Sequence, residues 1–145
     1  MICVDASVAA KWLLEEEDSD RADALYEACV QAGEPLVAPP LLPIDLTNLL
    51  RRQMVRDHIS VIQATQLLDR FFSFPVSVIN PDTLHRKALA LAAAYDLPAA
   101  YDAHYLAFSQ LLGCTFWTND RKLVNTLGNR LPFVRWLGDF AGEIT

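Results

Sequence analysis

The chain has 145 residues, the length of one ordinary domain, and carries 12 Lys and Arg against 18 Asp and Glu, a formal charge of −6. That balance excludes an arm-type or histone-like nucleic-acid binder, whose affinity comes from Lys and Arg neutralising many phosphates. Apolar residues make up 52% and charged residues 21%, which excludes wholesale disorder, and a mean hydropathy of +0.18 hints at apolar surface for a partner to cover.

Met1 to Val4 reads as a buried strand stopping at Asp5, and Ser7 to Glu16 as a helix with Val8 and Trp12 on one face. Ser19 caps a second helix through Gln31, with Ala22, Leu25, Tyr26 and Cys29 at apolar spacing and Gly33 as terminator. Leu36 to Ala38 is a short strand closed by Pro39-Pro40. Ile44, Leu46, Leu49, Leu50 and Met54 form the apolar stripe of a helix over Ile44 to Arg56. Ser60 caps the next helix, which runs to about Phe72, and Val76 to Ile79 is the third strand. Asn80-Pro81-Asp82 starts a helix reaching about Tyr95, with Pro near its first position. Tyr101 to Leu112 is another helix, ended by Gly113. Thr115 to Thr118 is the fourth strand, Arg121 to Leu127 a short helix, and Phe133-Val134 the candidate fifth strand. The alternation predicts one α/β domain over residues 1–145: a mostly parallel sheet of four to five strands with helices on both faces.

MICVDASV contains no basic leader, and the richest apolar stretch, Ala88 to Ala100, is interrupted by Tyr95, Asp96 and Pro98. It is too short to span a bilayer. The expectation is a cytoplasmic chain without membrane contact. Cys3, Cys29 and Cys114 form no C-x-x-C pair and fit buried thiols. His58, His85 and His104 show no ligand spacing.

In open α/β sheets the working crevice lies beyond the carboxyl ends of the strands. Asp5 ends the first strand and Thr118-Asn119-Asp120 the fourth, Asp102 opens the helix leading into the fourth, and Asp45 stands near the start of the helix after the second. Each could be no more than a helix cap or a favourable charge on a helix dipole. Together, four like charges at one crevice would repel unless protons or cations neutralise them. With no His or Cys beside them, oxygen donors suit Mg²⁺ or Mn²⁺ rather than zinc.

Asp5-Ala6-Ser7-Val8, Lys11-Trp12-Leu13-Leu14-Glu15, a helix after Pro39-Pro40, Tyr101-Asp102-Ala103 and Thr118-Asn119-Asp120, in that order, resemble the PIN-domain family. The nearest type within it is VapC, the ribonuclease toxin of toxin–antitoxin pairs. The resemblance covers residues 1 to 136 or so. It implies a metal-dependent ribonuclease with Asp5 as the first-strand metal ligand, Asp102 as the central ligand and Asp120 completing the site directly or through water. Ser7 would orient Asp5 or contact phosphate, and Thr118 would hydrogen-bond within the cluster. The family usually carries Glu where this chain has Asp45, which is one methylene shorter, roughly 1.5 Å less reach. Asn48, one turn on, could add an oxygen or simply be solvated. The implied reaction is hydrolysis of RNA by activated water, leaving a 5′-phosphate and a 3′-hydroxyl.

Residues 1–50 hold two bases against ten acids, so residues 51–145 hold ten against eight. Arg51, Arg52, Arg121 and Lys122 can bind the RNA backbone, or be ordinary solvated helix residues. The resemblance further implies a cognate antitoxin, laid across the first helices, and a homodimer. Two other readings share some features. A catalytically weakened PIN scaffold would bind without cutting. A receiver-like signalling domain would need an acceptor Asp after the third strand, where Ile79-Asn80-Pro81 stands. An Asp-x-Asp phosphatase is disfavoured by Ser7.

Overall fold

The computed structural model describes residues 1–144. Five strands, β1 (Ile2–Val4), β2 (Leu36–Ala38), β3 (Val76–Val78), β4 (Thr115–Thr118) and β5 (Val134–Trp136), form one sheet in the order β3-β2-β1-β4-β5. Every pairing is parallel, a firmer outcome than the mostly parallel sheet expected. The central strands β1 and β2 are buried on both faces, as continuous apolar runs require, whereas the edge strands β3 and β5 are partly open.

Seven α-helices fill the crossovers among the described residues: α1 (Ala6–Ala9), α2 (Ser19–Ala32), α3 (Leu41–Asp57), α4 (Val61–Ser73), α5 (Leu84–Ala94), α6 (Tyr101–Leu112) and α7 (Arg121–Leu127). From β1 to β3 the chain steps toward one edge; after β3 it returns past β1 and steps toward the other. Right-handed crossovers therefore place α1–α4 on one face and α5–α7 on the opposite face. The reversal falls between β1 and β4, so the switch-point crevice opens beyond the ends of those two strands. Val4 pairs with Trp117, which sets the next residues, Asp5 and Thr118, side by side at its mouth.

Several boundaries differ from the sequence reading. The first helix does not reach Glu16: α1 gives way to a 3₁₀ turn at Ala10–Trp12, and the acidic run that follows is a connection. Ser19 does not cap α2. It is buried, accepts from the Glu16 N–H at 3.0 Å and donates to the Leu14 carbonyl at 2.9 Å, so it ties the connection down. Helix α3 starts at Leu41 rather than Ile44, directly after Pro40, because the first turn of a helix has no use for the missing proline N–H. Its buried stripe is Leu42, Leu46 and Leu50, while Ile44 is exposed. Helix α5 starts at Leu84, since Asn80 to Thr83 first makes a turn closed by the Leu84 N–H on the Pro81 carbonyl. The fifth strand runs over Val134–Trp136 rather than Phe133-Val134.

Other signals match closely. Ser60 and Gln63 form a reciprocal capping box at the start of α4. Gly113 ends α6 at φ +70°, a conformation open to glycine at little cost. Trp12 and Leu13 belong to the core; the Trp12 ring packs edge-on to Tyr26 and donates to the Ala22 carbonyl at 3.0 Å. The three cysteines are free and buried. No helix among the described residues is long and apolar enough to cross a membrane.

Candidate active site

Asp5 leaves β1 in extended geometry and caps α1, its Oδ1 accepting from the Val8 N–H at 3.3 Å. The cap is only part of its environment. Ser7 Oγ donates to Oδ1 at 2.5 Å and Thr118 Oγ1 donates to Oδ2 at 2.5 Å. Each hydroxyl also accepts from the chain after β4: Ser7 from the Asn119 N–H at 2.8 Å, Thr118 from the Asp120 N–H at 3.0 Å. Two hydroxyls thus stitch the end of β1 to the end of β4 around one carboxylate.

Asp5 is almost wholly buried, and burial pushes its carboxyl up from 3.8 to about 6, with the Asp102 charge adding to the rise. The three hydrogen bonds pull the other way without offsetting it.

Asp102 lies in the first turn of α6 and does not cap it; its carboxylate accepts no hydrogen bond among the described residues. Burial raises its pKa first, then the charges of Asp120 and Asp45. Asp102 therefore interacts electrostatically with Asp5, Asp120 and Asp45, and is the common neighbour of the set. Asp120 caps α7, accepting from the Leu123 N–H at 3.1 Å. Asp45 falls in the second turn of α3, not the first, because the helix begins early. Its Oδ2 accepts from the Tyr105 hydroxyl at 2.8 Å, and burial raises its pKa against the opposing effects of Tyr105, Arg52 and His104.

The basic candidates separate. Lys122 lines a cleft with Asp102 and Asp120. The Arg121 guanidinium lies 3.8 Å over the Trp136 ring, and Arg52 stands near enough to Asp45 to favour its charged form. Arg51 faces away, into a groove between α3 and α4 with Leu50, Met54, Val61 and Leu68. Asn48 is exposed and forms no side-chain hydrogen bond among the described residues.

Two features had no signature in the sequence reading. Tyr105 is buried, stacked parallel to Phe116, and holds Asp45; its place three residues after Asp102 on α6 was the available hint. His85 Nδ1 and His104 Nε2 lie 3.0 Å apart, with His104 Nδ1 bonded to the Ala100 carbonyl, although the histidines have no ligand spacing along the chain.

A divalent cation was expected here. Among the described residues no three Asp, Glu, His or Cys side chains are drawn together as a ready ligand cage. The donor chemistry nevertheless fits a hard cation: the acids offer oxygen alone, and at Asp102 neither a hydrogen bond nor a positive charge offsets burial and the charges of Asp120 and Asp45.

The PIN domain family model matches residues 2–127. Two curated relatives, "VapC ribonuclease Mb0985" of Mycobacterium bovis and "Ribonuclease VapC9" of Mycobacterium tuberculosis, are each 28% identical over 126 residues. The alignments cover 87% of this chain and 91% of each relative. Among solved structures, PAE2754 from Pyrobaculum aerophilum shares the fold, with a TM-score of 0.64 at 22% identity, over 86% of this chain and 78% of that one.

Proposed function

The chain belongs to the PIN domain family, and from that premise we propose that it is a metal-dependent endoribonuclease of the toxin type. The observation that carries the reading is Asp102, half-buried, its carboxylate free of hydrogen bonds among the described residues, lining one cleft with Asp120. The names of the relatives, VapC ribonucleases, give it a second support.

In this reading Asp5, Asp102, Asp120 and Asp45 hold Mg²⁺ or Mn²⁺. When bound, the ion supplies charge neutralisation at the cleaved phosphate and acidifies water for the attack. Ser7 and Thr118 fix Asp5 in one pose by donating to both of its oxygens. Tyr105 donates to one oxygen of Asp45, Oδ2, and leaves the other for the ion. Lys122 at the cleft and Arg52 beside Asp45 would position the RNA backbone, with Arg121 next to Asp120 in the chain but its guanidinium on Trp136. Asn48 is exposed and Arg51 lines the groove between α3 and α4, so neither is assigned a part at the acids.

A protein antitoxin, a second copy of the chain and a cytoplasmic setting belong to the same reading. Ile44, Val55, Val61, Ile62 and Phe72, on α3 and α4, are 61–68% exposed, more apolar surface than a lone domain benefits from leaving in water. This surface lies on α3 and α4 rather than on the first helices, where Trp12 and Leu13 are core.

The test is cleavage of RNA in Mg²⁺ or Mn²⁺, with Asp102→Asn as the variant and circular dichroism as the folding control. Activity is expected to vanish in EDTA and in the variant. Cleavage that survives either treatment overturns the reading.

A further inference from the structure

A cleft of about 270 Å³ opens beside Asp102 and Asp120. Its walls are Leu97, Pro98, Tyr101 and Leu123, with Lys122 among the lining residues. Drug-sized ligands fill pockets of about 300–1,000 Å³, so this one takes a single ring system rather than a stretch of chain.

Tyr101 is the unusual member. It opens α6 immediately before Asp102, yet 68% of it is exposed, as much as any large apolar or aromatic residue in the chain. Tyr105, one turn later, is buried and occupied with Asp45, so exposure is not forced on the aromatics of this helix. An exposed ring with apolar neighbours beside a phosphate-cleaving site offers what an unpaired base needs: a flat face on which to stack. Lys122 adds a cation within reach of the adjoining phosphate, and the carboxylates next door repel any anion that arrives without a metal.

We propose that Tyr101 forms the stacking wall of a nucleobase subsite beside the scissile phosphate. This rests on the ribonuclease reading. A base in a continuous duplex has both faces taken by its neighbours and cannot enter. Loops, bulges and single strands can supply it. Tyr101 is on this account a specificity-determining residue; it takes no part in bond cleavage.

The experiment compares wild type, Tyr101→Ala and Tyr101→Phe on a short single-stranded RNA and on the same RNA with an abasic residue beside the cut. Tyr101→Ala should lower kcat/KM on the intact RNA by roughly 5- to 150-fold, the range that base–aromatic stacking spans. Tyr101→Phe should restore it, and on the abasic RNA all three proteins should be alike. Equal cleavage of the intact RNA by wild type and Tyr101→Ala overturns the subsite while leaving the nuclease standing, as does an equal loss by both on the abasic RNA. If wild type cuts no RNA, the nuclease reading fails and the subsite is decided by NMR titration with oligoadenylate. Shifts at Tyr101, Leu97 and Leu123 that vanish in Tyr101→Ala support it; no shifts overturn it.

Discussion

Burial of Asp5 makes the stability of the metal-free protein depend on pH in a direction opposite to that of an ordinary salt-bridged carboxylate. The carboxyl titrates at about 6 in the folded chain against 3.8 when solvated. Between those values the native state holds more protons than the unfolded state, so stability falls as pH rises. The favourable contribution is complete below about pH 3.8 and gone above about pH 6, and the gap corresponds to about 3 kcal/mol. For a domain of this size that is about 6–12 °C in Tm. Asp102 and Asp45 are shifted in the same direction, but both are partly exposed and screened by solvent. Asp5→Asn isolates the effect because it cannot ionise. Urea unfolding in EDTA from pH 4.5 to 7.5 should show wild type losing stability and the variant losing markedly less, with the two m-values alike. A flat wild-type profile, or the same slope in Asp5→Asn, would refute the account of Asp5 as a carboxylate held at the expense of folding.

Thr118→Val keeps the shape of a fully buried side chain but leaves Asp5 Oδ2 and the Asp120 N–H without their shared partner. It should cost about 1–3 kcal/mol at neutral pH, and a loss below about 0.5 kcal/mol in urea unfolding would show that water replaces the hydroxyl freely. Tyr105→Phe preserves the stack on Phe116 and removes the donor to Asp45, so the Asp45 carboxyl should rise further. The acidic limb of the pH–rate profile for RNA cleavage is expected to move to higher pH, and an unmoved limb would separate Tyr105 from the function of Asp45.

The stretch from Tyr101 to Leu127 was readable because its signals are local. Tyr101–Leu112, Thr115–Thr118 and Arg121–Leu127 fall where expected, each bounded by a glycine, a cap or a run of β-formers. Errors arose where a residue had two uses. Pro39-Pro40 reads equally as the end of a strand and as the approach to a helix, and taking the first option shifted α3 and moved Asp45 by a turn. Ser19 looks like a cap from its neighbours, but its hydroxyl is needed by Leu14 and Glu16, and Asp18 takes the cap position in a left-handed conformation. The expected gathering of the acids at one sheet edge followed from their places at strand ends and helix starts. The meeting of Asp45 with Tyr105 depended on packing between opposite helical layers, which periodicity does not encode.

The hydroxyl of Thr118 reaches a carboxylate 113 positions earlier in the chain. At 5–20 residues per second, that separation corresponds to roughly 6 to 23 s of synthesis. Over that interval β1 can pair with β2 on one side, while its other flank has no partner and Asp5 has neither its Thr118 bond nor Asp102 nearby for most of the time. The crevice therefore comes into being late and all at once, when β4 docks. A truncated product ending before β4 would carry Asp5, Asp45 and Asp102 but neither Thr118 nor Asp120, so on the nuclease reading incomplete chains are expected to be inert.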